Sequence, residues 1–350
     1  MSIYEYIIYF CLFISLSPIR NNKAIFFSLT FLLIIVAAIR GLSVGTDTAT
    51  YFDIFSTINQ PYSPYSHYNN TEYIFVLWNK LFHNVLNYDL YLISVYTLIV
   101  SLFSYVIYKY STSKILSLFL LIALGYYTGS FNAMRQYIAM AIMLYGMTTL
   151  NDTTSNKPSY KFWILLLIAF FIHHSSLICT VLYFINKVSI NKKIIIATVI
   201  TTFIFGFFFS NHVSQYISQF TNLTNDYADY LLIYNEGERN LVANLGVNSI
   251  FLVTLFFSKQ KTDSSIFMKS YFLYVCIFNL FGAMGFLGRV ALYFAISQII
   301  IIPCVLNEIN KPSHKILYSI IIITYAICGF YMLTLRIDEI LPYHIRYILW

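Results

Sequence analysis

The sequence predicts an all-α fold, a polytopic bundle of about twelve transmembrane helices with one further re-entrant or interfacial helix. Composition is the first reason: 59% of the residues are hydrophobic, 10% are charged, and the mean hydropathy is +0.70, whereas a soluble domain carries roughly 25% charge. Arrangement is the second. Apolar runs recur along nearly the whole chain with short polar breaks between them, so no segment of ordinary size is left for a soluble domain. The chain therefore reads as one integral membrane domain over 1–350.

The elements follow in order. A span takes about 20 apolar residues, somewhat fewer where flanking lysines snorkel. The first run, Ile3 to Leu16, contains Glu5 but has no basic flank before it and no small-residue cleavage site before Pro18, so it reads as a retained helix. Crossings are expected at 3–17, 23–39, 90–108, 114–130, 132–150, 160–173, 175–187, 193–210, 246–258, 266–286, 288–306 and 315–334, with 160–187 a shortened hairpin. Residues 73–87 carry Lys80 and His83 in mid-run, which marks the re-entrant or interfacial helix. Cys11, Cys179, Cys276, Cys304 and Cys328 all lie in apolar runs without CxxC or Cys/His spacing and read as small core residues.

Charge sets the orientation. With the N-terminus outside, the cytoplasmic connections hold fourteen of the 21 Lys and Arg residues, as short cytoplasmic loops should. The other seven are Lys80 and six arginines: Arg40, Arg135, Arg239, Arg289, Arg336 and Arg346. Arginine is the side chain suited to fixed, bidentate contact with phosphate. Two outward loops are long, 40–72 and 211–245, and both are rich in Tyr and Asn, which stack on and hydrogen-bond to sugars. A carbohydrate is expected there, with 211–245 as the specificity element.

The chemically capable residues gather on the same outward side. Arg135 opens the helix 132–150, where the helix dipole also favours an anion, Arg289 stands in the equivalent place one turn before Tyr293, and Arg40 closes the second helix. The plainer reading of each is a snorkelling interfacial arginine. His173 and His174 end the run 160–173, and either imidazole is a candidate general base. Ser175 and Ser176 follow, but there is no nucleophile elbow and no acid beside them in sequence. Asp47 suits a base-orienting group, an arginine partner or a sugar ligand, and equally an Asx turn or helix N-cap. No Walker A, GxGxxG, DxD or metal-ligand cluster is present. No cofactor, metal or nucleic-acid partner is expected, and the energy for any transfer has to arrive with the substrate.

The series Arg40…Gly45-Thr46-Asp47…Tyr51, Glu72 ahead of an aromatic helix, Arg135-Gln136-x-Ile138-Ala139, Ala169-x-x-x-His173-x-Ser175-x-Leu177 and Arg289…Tyr293-Phe294 resembles the EpsG family of exopolysaccharide polymerases, relatives of the Wzy O-antigen polymerases. The resemblance spans Arg40 to about Pro303. It implies a GT-C-like membrane bundle in a bacterial cytoplasmic membrane, with metal-independent glycosyl transfer at the outer face between undecaprenyl-pyrophosphate-linked oligosaccharides. It also implies catalytic roles for His173 and Asp47. Substrate contacts fall to Arg40, Arg135, Arg289, Tyr51, Glu72, Gln136, His174 and Tyr293, with a chain-length regulator as a further partner. An O-antigen ligase or a lipid-linked glycan flippase are the alternative readings.

Overall fold

The computed structural model describes residues 2–60, 72–150, 160–221, 241–282, 285–334 and 340–346. Apart from an isolated antiparallel bridge between Arg40 and Ile345, regular structure among the described residues is helical, as the hydropathy pattern predicts. They divide into two compact units, Met1–Leu177 with Ile323–Trp350, and Ile178–Ile322.

The first unit holds α1 (Ile3–Leu16), α2 (Lys23–Ala38), α3 (Thr48–Thr57), α4 (Tyr73–Val85), α5 (Tyr88–Tyr110), α6 (Lys114–Ala123), α7 (Met134–Leu150) and α8 (Tyr160–Ile172). Local sequence sets several starts. Ser2 and Glu5 form a reciprocal capping box on α1, while the Asn22 and Asn87 side chains accept from the third backbone N–H of α2 and α5. At one end of the unit the α1–α2 turn meets the α5–α6 turn, where Asn21 Nδ2 donates to the Thr112 carbonyl at 3.1 Å and Asn21 Oδ1 accepts from Lys114 N at 3.1 Å. At the other end the chain's last described segment straps the exit of α2: Gly41 N donates to His344 O at 2.7 Å and Arg346 N to Ile39 O at 3.0 Å. Arg346 also pairs with Asp89 and donates to the Ala38 and Arg40 carbonyls, capping carbonyls that α2 leaves unbonded.

The second unit holds α9 (Thr180–Lys187), α10 (Lys192–Thr221), α11 (Leu241–Phe257), α12 (Gln260–Asp263), α13 (Ile266–Phe281), α14 (Gly285–Val290), α15 (Leu292–Ala295), α16 (Gln298–Glu308) and the start of α17 (Pro312–Gly329). Buried amides tie its helices together. Asn248 and Asn279 exchange bonds of 2.7 and 2.9 Å, and Asn279 Nδ2 also reaches Thr202 Oγ1 at 3.2 Å. Such interhelical bonds give these buried amides partners in an apolar interior.

Among the described residues, α5 and the stretch Pro312–Met332 are long and apolar enough to cross a membrane, and Gly288–Ala295 with Gln298–Glu308 passes as a pair bent by 44°. Other expected crossings are shorter or broken. The run 114–130 is α-helical only to Ala123, because Gly125 turns out of the helix at φ +77° and a 3-10 turn, Thr128–Phe131, follows. The run 175–187 opens as the 3-10 turn His174–Cys179 before α9. Beyond its expected end at 210, α10 continues to Thr221, so the segment expected to be the loop 211–245 begins as helix; residues 222–240, with Arg239, lie outside the described residues, as does Arg336. At 13 residues, α4 is about 20 Å long, too short to span. It buries Phe75, Val76 and Asn79 and exposes Tyr73, Leu77, Leu81 and Val85 along one stripe.

Candidate functional site

Four helix termini of the first unit bring a carboxylate, a guanidinium, an imidazole and a phenol together. Glu72 is the N-cap of α4, with its carbonyl accepting from Val76 N at 3.1 Å, yet its carboxylate makes no bond to its own helix. Instead Oε2 accepts from Arg135 Nη1 at 2.5 Å and Oε1 from His173 Nδ1 at 2.7 Å. Arg135 stands in the first turn of α7, where its guanidinium lies 5.5 Å from the centre of the Phe75 ring. His173 follows α8, held by its N–H on the Ala169 carbonyl at 2.8 Å, and its own carbonyl accepts from Ser176 N as the chain turns back. Tyr51, on α3, packs edge-on against Phe75 and donates to the Asn132 carbonyl.

Burial separates the roles. The Glu72 side chain is 7% exposed, against 29% for Arg135 and 23% for His173. The carboxylate is thus an internal hub, and the two groups it holds reach the surface. Burial alone raises the Glu72 carboxyl, but the His173 hydrogen bond and the Arg135 charge outweigh it and hold the group down to about 2. Burial pushes the Tyr51 phenol up to about 12, with the Arg135 charge acting against it, so Tyr51 keeps its proton at neutral pH. A carboxylate on Nδ1 requires the proton there, which leaves the lone pair on Nε2. A hydroxyl proton is what that lone pair accepts.

The remaining sequence-derived candidates divide clearly. His174 turns its exposed ring onto Phe170, 4.8 Å away, so of the two neighbouring histidines His173 is the one in the cluster. Asp47 caps α3 only by backbone, accepts from Thr46 Oγ1 at 3.2 Å, and acts on Tyr51 through its charge. Gln136 is buried next to Arg135. Arg40, expected at a phosphate, has 0% exposure: its guanidinium sits between the Tyr96 and Phe131 rings at 4.8 and 4.5 Å and donates to the Ala37 carbonyl at 2.6 Å. It closes the core beneath the α2–α3 loop and offers no surface to a ligand in this structure. Arg289, exposed on α14, and Tyr293, fully buried on α15, belong to the second unit.

The sequence places no acid beside the histidines. The acid is Glu72, 101 residues earlier in the chain. Its position ahead of an aromatic helix was the available signal, but that pattern spoke for substrate contact and not for a partner to His173. Gly45 explains part of the local order. It takes φ +93°, and a Cβ there would stand 2.5 Å from Asn132 Oδ1, so the loop into α3 can lie against the entry to α7 only with glycine.

A sequence model described as EpsG family matches residues 23–345, nearly the whole chain. No curated protein and no solved structure matches.

Proposed function

The chain belongs to the EpsG family, and from that premise we propose that it polymerises polysaccharide by joining undecaprenyl-pyrophosphate-linked repeat units at the outer face of the cytoplasmic membrane. The observation that carries this reading is the buried Glu72 bonded to both Arg135 and His173. Glycosyl transfer from a pyrophosphate needs a group to take the acceptor's proton and a cation to meet the leaving group. His173 Nε2 takes the proton of the attacking sugar hydroxyl as its oxygen bonds to the donor's anomeric carbon. The anomeric C–O bond breaks, and its electron pair leaves with undecaprenyl pyrophosphate. Arg135 binds that pyrophosphate through donors not engaged by Glu72, of which the planar fork has several. Glu72 stabilises the imidazolium that forms, so the cluster gains one positive charge as negative charge builds on the leaving group. Tyr51, whose proton is donated to the Asn132 carbonyl, packs beside Arg135 as a positioning group. On the second unit, Arg289 is a candidate phosphate ligand in its own right.

Purified protein incubated with the lipid-linked repeat unit, without nucleotide and with chelator, is expected to give a product ladder spaced by one repeat. Arg135→Lys, which keeps the charge but loses the fork, should raise KM for the donor and lower kcat. No ladder, with labelled substrate instead moving across liposomes, would make the chain a flippase and reject the reading.

A further inference from the structure

The reading above leaves unanswered what holds the sugars of the repeat unit, and α3 and α4 carry an answer away from the cluster. Asn59, just past the end of α3, donates from Nδ2 to His83 Nδ1 at 3.0 Å and to Asn84 Oδ1 at 2.5 Å, both near the end of α4. Asn59 and Asn84 are exposed and His83 half-exposed, with the His83 ring 5.4 Å from that of Phe55, which backs it from the core. With Nδ1 accepting, His83 carries its proton on Nε2. The triad therefore turns to solvent an acceptor, Asn59 Oδ1, and two donors, His83 Nε2–H and Asn84 Nδ2. These groups are uncharged and mixed in sense, which suits neutral hydroxyls better than an anion.

Position strengthens this. From Glu72 to His83 is eleven residues along one helix, about 16 Å at 1.5 Å per residue, the span of an oligosaccharide and not of a single sugar ring. Between the two ends α3 faces outward with Thr50, Asp53 and Ser56, at helical spacing, while it buries Tyr51, Ile54 and Phe55. Ser56 turns its hydroxyl proton to the Asp53 carbonyl and leaves its oxygen lone pairs outward.

We propose that Asn59, His83 and Asn84 form a glycan subsite that binds the distal sugars of the repeat unit while its reducing end is held at Arg135. The inference rests on the proposed function for the identity of the glycan, and on the triad for the site itself. The test is binding of the repeat-unit oligosaccharide, released from its lipid, to the full chain in detergent, alongside turnover of the intact lipid-linked unit and of a polyprenyl pyrophosphate bearing only the first sugar. Asn59→Ala and His83→Ala remove ligand groups. Asn84→Asp keeps the oxygen that accepts from Asn59 and exchanges the outward donor for a carboxylate oxygen, so it separates donation to the sugar from the tie between α3 and α4. All three should weaken oligosaccharide binding about tenfold, the loss of one good hydrogen bond at 1.4 kcal/mol per decade. They should raise KM for the full unit to match, with kcat and one-sugar turnover unchanged. Oligosaccharide binding unaltered in Asn84→Asp and His83→Ala would overturn the subsite even if the ladder forms. Binding lost in the variants of a chain that makes no ladder would keep the subsite and reject the polymerase.

Discussion

Replacing Glu72 by glutamine keeps the shape of the hub and removes its charge. A carboxyl held near 2 instead of its usual 4.5 favours its ionised form by about 3 kcal/mol, at 1.36 kcal/mol for each tenfold change in acidity. Breaking a buried ion pair costs roughly 3–5 kcal/mol, but Arg135 is 29% exposed and water screens what is left, so about 2 kcal/mol of stability should be lost. Glutamine Oε1 can still accept from His173 Nδ1, so the ring stays in place. What disappears is the negative charge that stabilises the imidazolium, and the rate should fall about 10²–10⁴-fold, the usual worth of a general base. The assay is single-turnover coupling of the lipid-linked unit by detergent-purified protein, with thermal unfolding in the same buffer. Glu72→Asp retains the charge on a shorter arm and should fall between wild type and Glu72→Gln. Turnover of Glu72→Gln within twofold of wild type, in a protein that melts normally, would refute the assignment of Glu72 as the partner of the base.

Three further outcomes follow from the geometry. Because the folded-state acidity of Glu72 lies below its unfolded value, its contribution to stability is complete above about pH 4.3 and is lost as the pH falls toward 2; the melting difference between wild type and Glu72→Gln should stay constant from about pH 5 to 8 and shrink below about pH 4. His173→Ala should abolish coupling to the level of Glu72→Gln, and His174→Ala should stay within about twofold in the ladder assay, since only His173 meets the carboxylate. Gly45→Ala places a Cβ at positive φ and 2.5 Å from Asn132 Oδ1, so it should lower stability by about 1–3 kcal/mol in thermal unfolding.

Hydropathy alone was enough for the helical class, because a run that cannot face water has few ways to satisfy its backbone. The expected starts at 3 and 23 agree with α1 and α2, whose caps Ser2 and Asn22 act within one turn, whereas α5 starts at Tyr88 behind its cap Asn87, two residues before the expected 90. The broken runs were not legible. Nothing in the apolar stretch 114–130 distinguishes a straight helix from one that stops at Ala123 except Gly125, and a single glycine in a helical run is permitted as often as it is used. Among the site residues, Arg135 and His173 were legible as an arginine at a helix start and a histidine at a helix end. Arg40 looked the same in sequence and lies in the core, because a guanidinium between two aromatic rings with a carbonyl to bond can replace water by packing.

Composition and hydropathy by themselves determined that this chain is built of membrane helices, a property that depends on counts and on spacing along the chain. Which residues act together was decided by tertiary structure alone. Glu72 meets Arg135 across 63 residues and His173 across 101, and contacts of that separation arise from the packing of α4, α7 and α8, which no periodicity records. The same packing buries the carboxylate and leaves the guanidinium and the imidazole it holds reaching the surface.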